Sequence, residues 1–155
     1  MKNTNKSYTL VAPCTGEVIK LENVKDEVFS QGILGTGFAI VPDTKDFLSP
    51  INGKVANSHE SGHAYMIEGD NGLEILVHIG IDTVELEGEY FAPSVKSNMR
   101  LFQGDKLAYA DVDKISSRGY DPVCIVVVTN SEKLKSIEIK YGKIMAGQEV
   151  MTYTL

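Results

Sequence analysis

His63-Ala64-Tyr65-Met66-Ile67-Glu68-Gly69-Asp70-Asn71-Gly72-Leu73-Glu74-Ile75-Leu76-Val77-His78 reads as two β-strands and the turn that joins them. The flanks are aliphatic, β-branched or aromatic, whereas Gly69-Asp70-Asn71-Gly72 are turn formers. Counted outward from the turn centre, His63 and His78 each lie about seven or eight residues away, nearly opposite one another on paired antiparallel strands. On the second strand, period-2 alternation sends Glu74, Leu76 and His78 to one face and Ile75, Val77 and Ile79 to the other. The all-aliphatic face is expected to meet the core, so His78 is expected to point outward with Leu76 beside it.

Outward from this hairpin the same texture recurs. Tyr8–Val11, Gly16–Lys20, Gly37–Val41, Gly53–Val55, Lys106–Tyr109, Val123–Val128 and Glu149–Tyr153 are short β-type runs separated by turn formers. Close, even spacing of this kind predicts an all-β sandwich or barrel rather than alternating β and α units. Helical signal is confined to a turn or two over Val24–Ser30 and a short piece from Ser131 to Lys135, for which Asn130 is the expected cap. Ala12-Pro13-Cys14-Thr15-Gly16-Glu17-Val18 and Ser49-Pro50-Ile51-Asn52-Gly53-Lys54-Val55 share the pattern Pro-x-x-Gly-x-Val, which suggests two halves of similar design.

With 155 residues, 43% of them apolar, the chain can bury one sizeable core, and a single domain over residues 1–155 is expected, its first seven or so residues flexible. A net charge of −6 leaves no basic surface for a nucleic acid or an anionic membrane. The start, Met1 to Lys6, is polar, and the apolar run after it is too brief for a signal-peptide core or a membrane span, so a cytoplasmic protein without membrane insertion is expected. Cys14 and Cys124 form no CxxC pair and read as reduced, packed thiols.

All three histidines, His59, His63 and His78, fall in one stretch. An outward histidine beside a second one, among apolar residues, suits a nucleophile that stays partly neutral near pH 7. His59-Glu60-Ser61-Gly62-His63 also matches H-E-x-x-H, but that zinc motif works on a helix, and Gly62 with the β-type residues after it disfavours one. Gly35-Thr36-Gly37 precedes a strand, not a helix, so tight-turn glycines are expected there instead of a nucleotide loop. Asp111-Val112-Asp113 lacks the other oxygen ligands of a calcium loop, and no Ser-His-Asp or Cys-His set is persuasively spaced.

Gly72-Leu73-Glu74-Ile75-Leu76-Val77-His78-Ile79-Gly80-Ile81-Asp82-Thr83-Val84-Glu85-Leu86 resembles the active-site signature of the glucose-type IIA components of the bacterial phosphoenolpyruvate-dependent sugar phosphotransferase system. Val28-Phe29, Gly35-x-Gly37-Phe38-Ala39-Ile40-x-Pro42, Ser49-Pro50-Ile51-Asn52-Gly53, His63-Ala64, Gly88-x-x-Phe91 and the run from Asp121 to Asn130 are similar to the same family in the same order. The resemblance implies an antiparallel β-sandwich or flattened barrel with short helical turns. It implies that His78 carries the phosphoryl group and His63 stabilises it, with the Ser61 hydroxyl orienting an imidazole. By the same resemblance the donor is the histidine-containing phosphocarrier protein, the acceptor is the IIB domain of a sugar permease, and no cofactor is needed. Asp82 would meet a basic group of the donor, and Phe38, Leu34, Met66, Leu76 and Val84 would form an apolar docking rim. A regulatory module whose unphosphorylated face inhibits transporters or a kinase is the alternative, and His63 with His78 can take Zn²⁺ if a partner supplies a carboxylate. Thr36 stands where the family pattern has Asp, and His59 where it has an aromatic or apolar residue.

Overall fold

A computed structural model describes residues 6–155. Of the segment expected to be flexible, residues 1–5 lie outside the described residues. The strands are β1 (Ser7–Val11), β2 (Gly16–Lys20), β3 (Thr36–Pro42), β4 (Asp46–Leu48), β5 (Gly53–Ser58), β6 (Ala64–Gly69) and β7 (Glu74–Ile79). They continue as β8 (Phe91–Pro93), β9 (Arg100–Leu101), β10 (Lys106–Ala110), β11 (Cys124–Val128), β12 (Ser136–Ile139), β13 (Gly142–Ile144) and β14 (Glu149–Thr154). Two short helices, α1 (Glu27–Ser30) and α2 (Val112–Ser117), and three single 3₁₀ turns complete the chain.

One sheet has eight strands in the order β13-β2-β3-β11-β7-β6-β5-β9, and two have three, β1-β14-β12 and β4-β10-β8. Every strand pair is antiparallel, as expected for the all-β sandwich. The two Pro-x-x-Gly-x-Val segments enter β2 and β5, and they face one another: the Leu48 N–H donates to the Pro13 carbonyl (2.8 Å) and the Val11 N–H to the Pro50 carbonyl (3.1 Å). Their glycines do equivalent steric jobs, since a Cβ on Gly16 would strike the Val41 carbonyl and one on Gly53 the Glu68 carbonyl across the adjoining strand.

The central strand β11 has all five residues, Cys124-Ile125-Val126-Val127-Val128, buried, because apolar material covers both faces of the eight-stranded sheet. The larger cluster holds Phe38, Ile40, Tyr65, Ile75, Val77, Val126 and Tyr153. A smaller one on the opposite face gathers Val24, Phe29, Ala39, Ile81, Val123, Ile125 and Val127. Burying each such aliphatic or aromatic side chain contributes about 1.5–3 kcal/mol.

Two local expectations need correction. Asn130 does not cap the 3₁₀ turn Ser131–Lys133 with its side chain; its Oδ1 accepts from the Glu74 N–H (2.9 Å) and its Nδ2 donates to the Gly72 carbonyl (2.9 Å). The amide thereby acts as a substitute peptide group at the start of β7. Gly37 is not a turn residue but lies inside β3, opposite Val127. Asp111, not expected to serve a calcium loop, instead caps α2, its Oδ1 accepting from the Lys114 N–H at 3.3 Å.

Candidate phosphoryl-transfer site

Cross-strand register decides which side chains share His78's face. Ala64, His78, Ile125, Ala39 and Ile19 form one row across β6, β7, β11, β3 and β2. Met66, Leu76, Val127 and Gly37 form the next row on the same face. Tyr65, Val77, Val126 and Phe38 form the intervening row, which points into the main core. The expected outward direction of His78 follows from this alternation.

His78 is half-buried, and the Phe29 ring of α1 packs against it with centroids 5.2 Å apart. Its Nδ1 lies 2.8 Å from the Gly80 carbonyl oxygen. A carbonyl only accepts, so Nδ1 carries the hydrogen and Nε2 keeps its lone pair. That carbonyl is itself held in place. The Gly80 N–H donates to the Val123 carbonyl (2.7 Å), the Ile81 N–H to the Asp121 carbonyl (2.9 Å), and the Thr83 hydroxyl to the Ile79 carbonyl (2.6 Å). Gly80 has φ +85°, and a Cβ there would collide with Thr83. Asp82 follows at φ 60°, exposed and in the left-handed region, at the head of the 3₁₀ turn Thr83–Leu86.

His63 precedes β6, and its carbonyl accepts from the Ile79 N–H at 2.7 Å, which brings it beside His78 as the hairpin count anticipated. The two rings meet edge to face with centroids 5.1 Å apart. The His59 ring also lies 4.5 Å from His63, and the Phe91 ring lies 6.3 Å from it. Only 4% of His63 is exposed, and its Nδ1 is buried without a hydrogen-bond partner among the described residues. Burial, with His78 and His59 alongside, pushes its pKa down to about 4. Burial also lowers the pKa of His78, opposed by the Gly80 carbonyl and by the carboxylates of Asp26 and Asp82. Both imidazoles are therefore neutral near pH 7.

The remaining expected residues divide. Residues 59–63 form a loop, not a helix, so the H-E-x-x-H string is not a zinc-protease site. The Ser61 hydroxyl makes no hydrogen bond among the described residues; it is the Ser61 backbone N–H that orients an imidazole, donating to His59 Nδ1 at 3.1 Å. Met66 and Leu76 are half-buried cross-strand neighbours on the site's face, and Val84 is exposed in the turn after Asp82. Leu34 is exposed ahead of β3. Phe38 cannot belong to a docking rim, because it is fully buried on the opposite face of the sheet from His78. Two neighbours of His78, Phe29 and Asp26, were not picked out by strand periodicity, since they arrive on α1 from outside the sheet. Among the described residues no group of three or more His, Cys, Asp or Glu can hold a metal ion.

The family described as phosphoenolpyruvate-dependent sugar phosphotransferase system, EIIA 1, matches residues 8–134. A glucose-specific EIIA component of Oceanobacillus iheyensis is 38% identical over 144 residues, covering 92% of this chain and 87% of that protein. The beta-glucoside-specific EIIBCA component of Bacillus subtilis is 40% identical over 141 residues, covering 90% of this chain; the chain spans 23% of that longer protein. Among solved structures, glucose permease IIA from Mycoplasma capricolum superposes with a TM-score of 0.89 at 36% identity, covering 98% of this chain and 99% of the other.

Proposed function

Because this chain belongs to the EIIA 1 family of the phosphoenolpyruvate-dependent sugar phosphotransferase system and is a phosphocarrier of it, we propose that Nε2 of His78 is the atom that carries the phosphoryl group. The observation that supports this most is the Nδ1–H bond to the Gly80 carbonyl, which leaves Nε2 unprotonated on the half-buried ring. Nε2 attacks the phosphorus of a donor phosphohistidine in line; the new N–P bond forms as the donor's N–P bond breaks, and the donor nitrogen leaves with the electron pair. The Nδ1 proton stays on His78, where the carbonyl stabilises the positive charge that the ring acquires. His63, neutral and within reach, offers a ring N–H to a phosphoryl oxygen. Onward transfer is the same step with an acceptor nucleophile in place of Nε2.

The donor is the histidine-containing phosphocarrier protein and the acceptor the IIB domain of a sugar permease; the fused EIIBCA relative supports the second assignment. Leu34, Met66, Leu76 and Val84 with Asp82 form the surface that these partners share. The sugar is selected by the permease, and the relatives include both glucose-specific and beta-glucoside-specific components.

Mass spectrometry after incubation with phosphoenolpyruvate, enzyme I and the phosphocarrier protein tests the reading. Wild type and His63→Gln should gain one acid-labile phosphate and His78→Ala none, with onward transfer from His63→Gln to IIB slowed about 10²-fold. No phosphate on wild type, or phosphate persisting on His78→Ala, would refute the assignment.

A further inference from the structure

The third imidazole of the cluster has no part in the route above. His59 sits in the loop between β5 and β6, where its own N–H donates to the Ala64 carbonyl (2.9 Å) and its carbonyl accepts from the Gly62 N–H (2.8 Å). The ring is fixed as well as the backbone. Its Nδ1 accepts from the Ser61 N–H at 3.1 Å, so Nδ1 bears the lone pair and the hydrogen resides on Nε2. The His59 ring lies 4.5 Å from His63, and the residue is exposed. No hydrogen bond engages Nε2–H among the described residues.

The chemistry of the neighbourhood says what such a donor is for. The charged groups that face His78 from α1 and from the turn after β7 are Asp26 and Asp82, both carboxylates. A phosphoryl group placed there adds further negative charge between two acids, and one neutral N–H from His63 is a thin counterweight. We propose that His59 is a second phosphoryl-binding donor: its Nε2–H, oriented by the Ser61 N–H, joins His63 in hydrogen-bonding the phosphoryl oxygens on His78. This rests on the assignment of the phosphoryl group to His78. Ser61 then takes part through its backbone, as the group that sets the tautomer of the outer imidazole.

The test uses ¹⁵N-histidine-labelled full chain, with NMR recorded before and after phosphorylation by phosphoenolpyruvate, enzyme I and the phosphocarrier protein. Phosphorylation should shift the His59 Nε2 signal. The equilibrium constant for taking phosphate from the carrier should fall about tenfold in His59→Phe, which keeps a ring and loses the donor. His59→Gln, which restores an N–H, should recover most of it. Unmoved His59 signals on a chain phosphorylated at His78, or a His59→Phe variant equal to wild type, would overturn the proposal. Absence of phosphate on wild-type His78 would instead overturn the assignment beneath it.

Discussion

At the scale of single residues, His63 records what it takes to hold an imidazole inside the fold. In the unfolded chain it binds a proton with a pKa near 6.5, whereas in the folded chain burial lowers that to about 4. Between these values the unfolded state holds more protons, so stability is complete above pH 6.5 and is lost as pH falls toward 4, by about 3 kcal/mol at most. Urea titrations at pH 7.5 and pH 4.5 should show most of that loss in wild type and less than half of it in His63→Gln. Equal losses would place the pH sensitivity in other groups. The histidine pair itself was legible in the sequence, because a turn of known centre and a strand of period 2 leave little freedom in where two marked residues fall. His59 was visible as one of three clustered histidines and as a departure from a pattern, but not as a neighbour of His63. Its contact with His63 depends on a loop, and loops have no period to count.

Elements explain how the His78 ring is aimed. The turn from Gly80 to Leu86 fixes the Gly80 carbonyl, and the Thr83 hydroxyl bond to the Ile79 carbonyl is its buried tie. Thr83→Val keeps the shape and leaves that carbonyl short of a partner, so it should cost about 1–3 kcal/mol in denaturant midpoint analysis. It should also slow phosphorylation of His78, with a change in the His78 ring nitrogen shifts that a purely global loss of stability would not produce. Nearly all strands of four or more residues were legible from apolar runs bounded by turn formers. The two- and three-residue strands β4, β8, β9 and β13 were not, since they are too short for alternation to register. The exposed strand β12, Ser136-Ile137-Glu138-Ile139, escaped because four residues give its two isoleucines a single alternation. Helix α2 was missed although Asp111 and the Val112–Ile115 spacing are a cap and an apolar stripe, because six residues hold only one repeat of that period.

For the whole molecule, the eight-stranded sheet separates two tasks by face. Phe38 and Val84 were expected to act together on a rim, and burial divides them: Phe38 is at 0% exposure and Val84 at 46%. Phe38→Ala should therefore destabilise the chain by about 3–5 kcal/mol while leaving the partner affinity of the folded fraction unchanged. Val84→Ala should change stability by no more than about 0.5 kcal/mol and weaken partner binding, as calorimetry against the phosphocarrier protein would read. The converse pattern would return Phe38 to the surface role. Sequence alone could not divide them, because β3 carries apolar residues on both faces and its period-2 signal is erased. The Asn130 amide, bonded at Gly72 and Glu74, pins the start of β7 to the strand beside it. In genetic terms it makes this stretch intolerant of length change: deleting one codon between Gly72 and His78 would turn the histidine into the core and present Val77 on the outer face in its place.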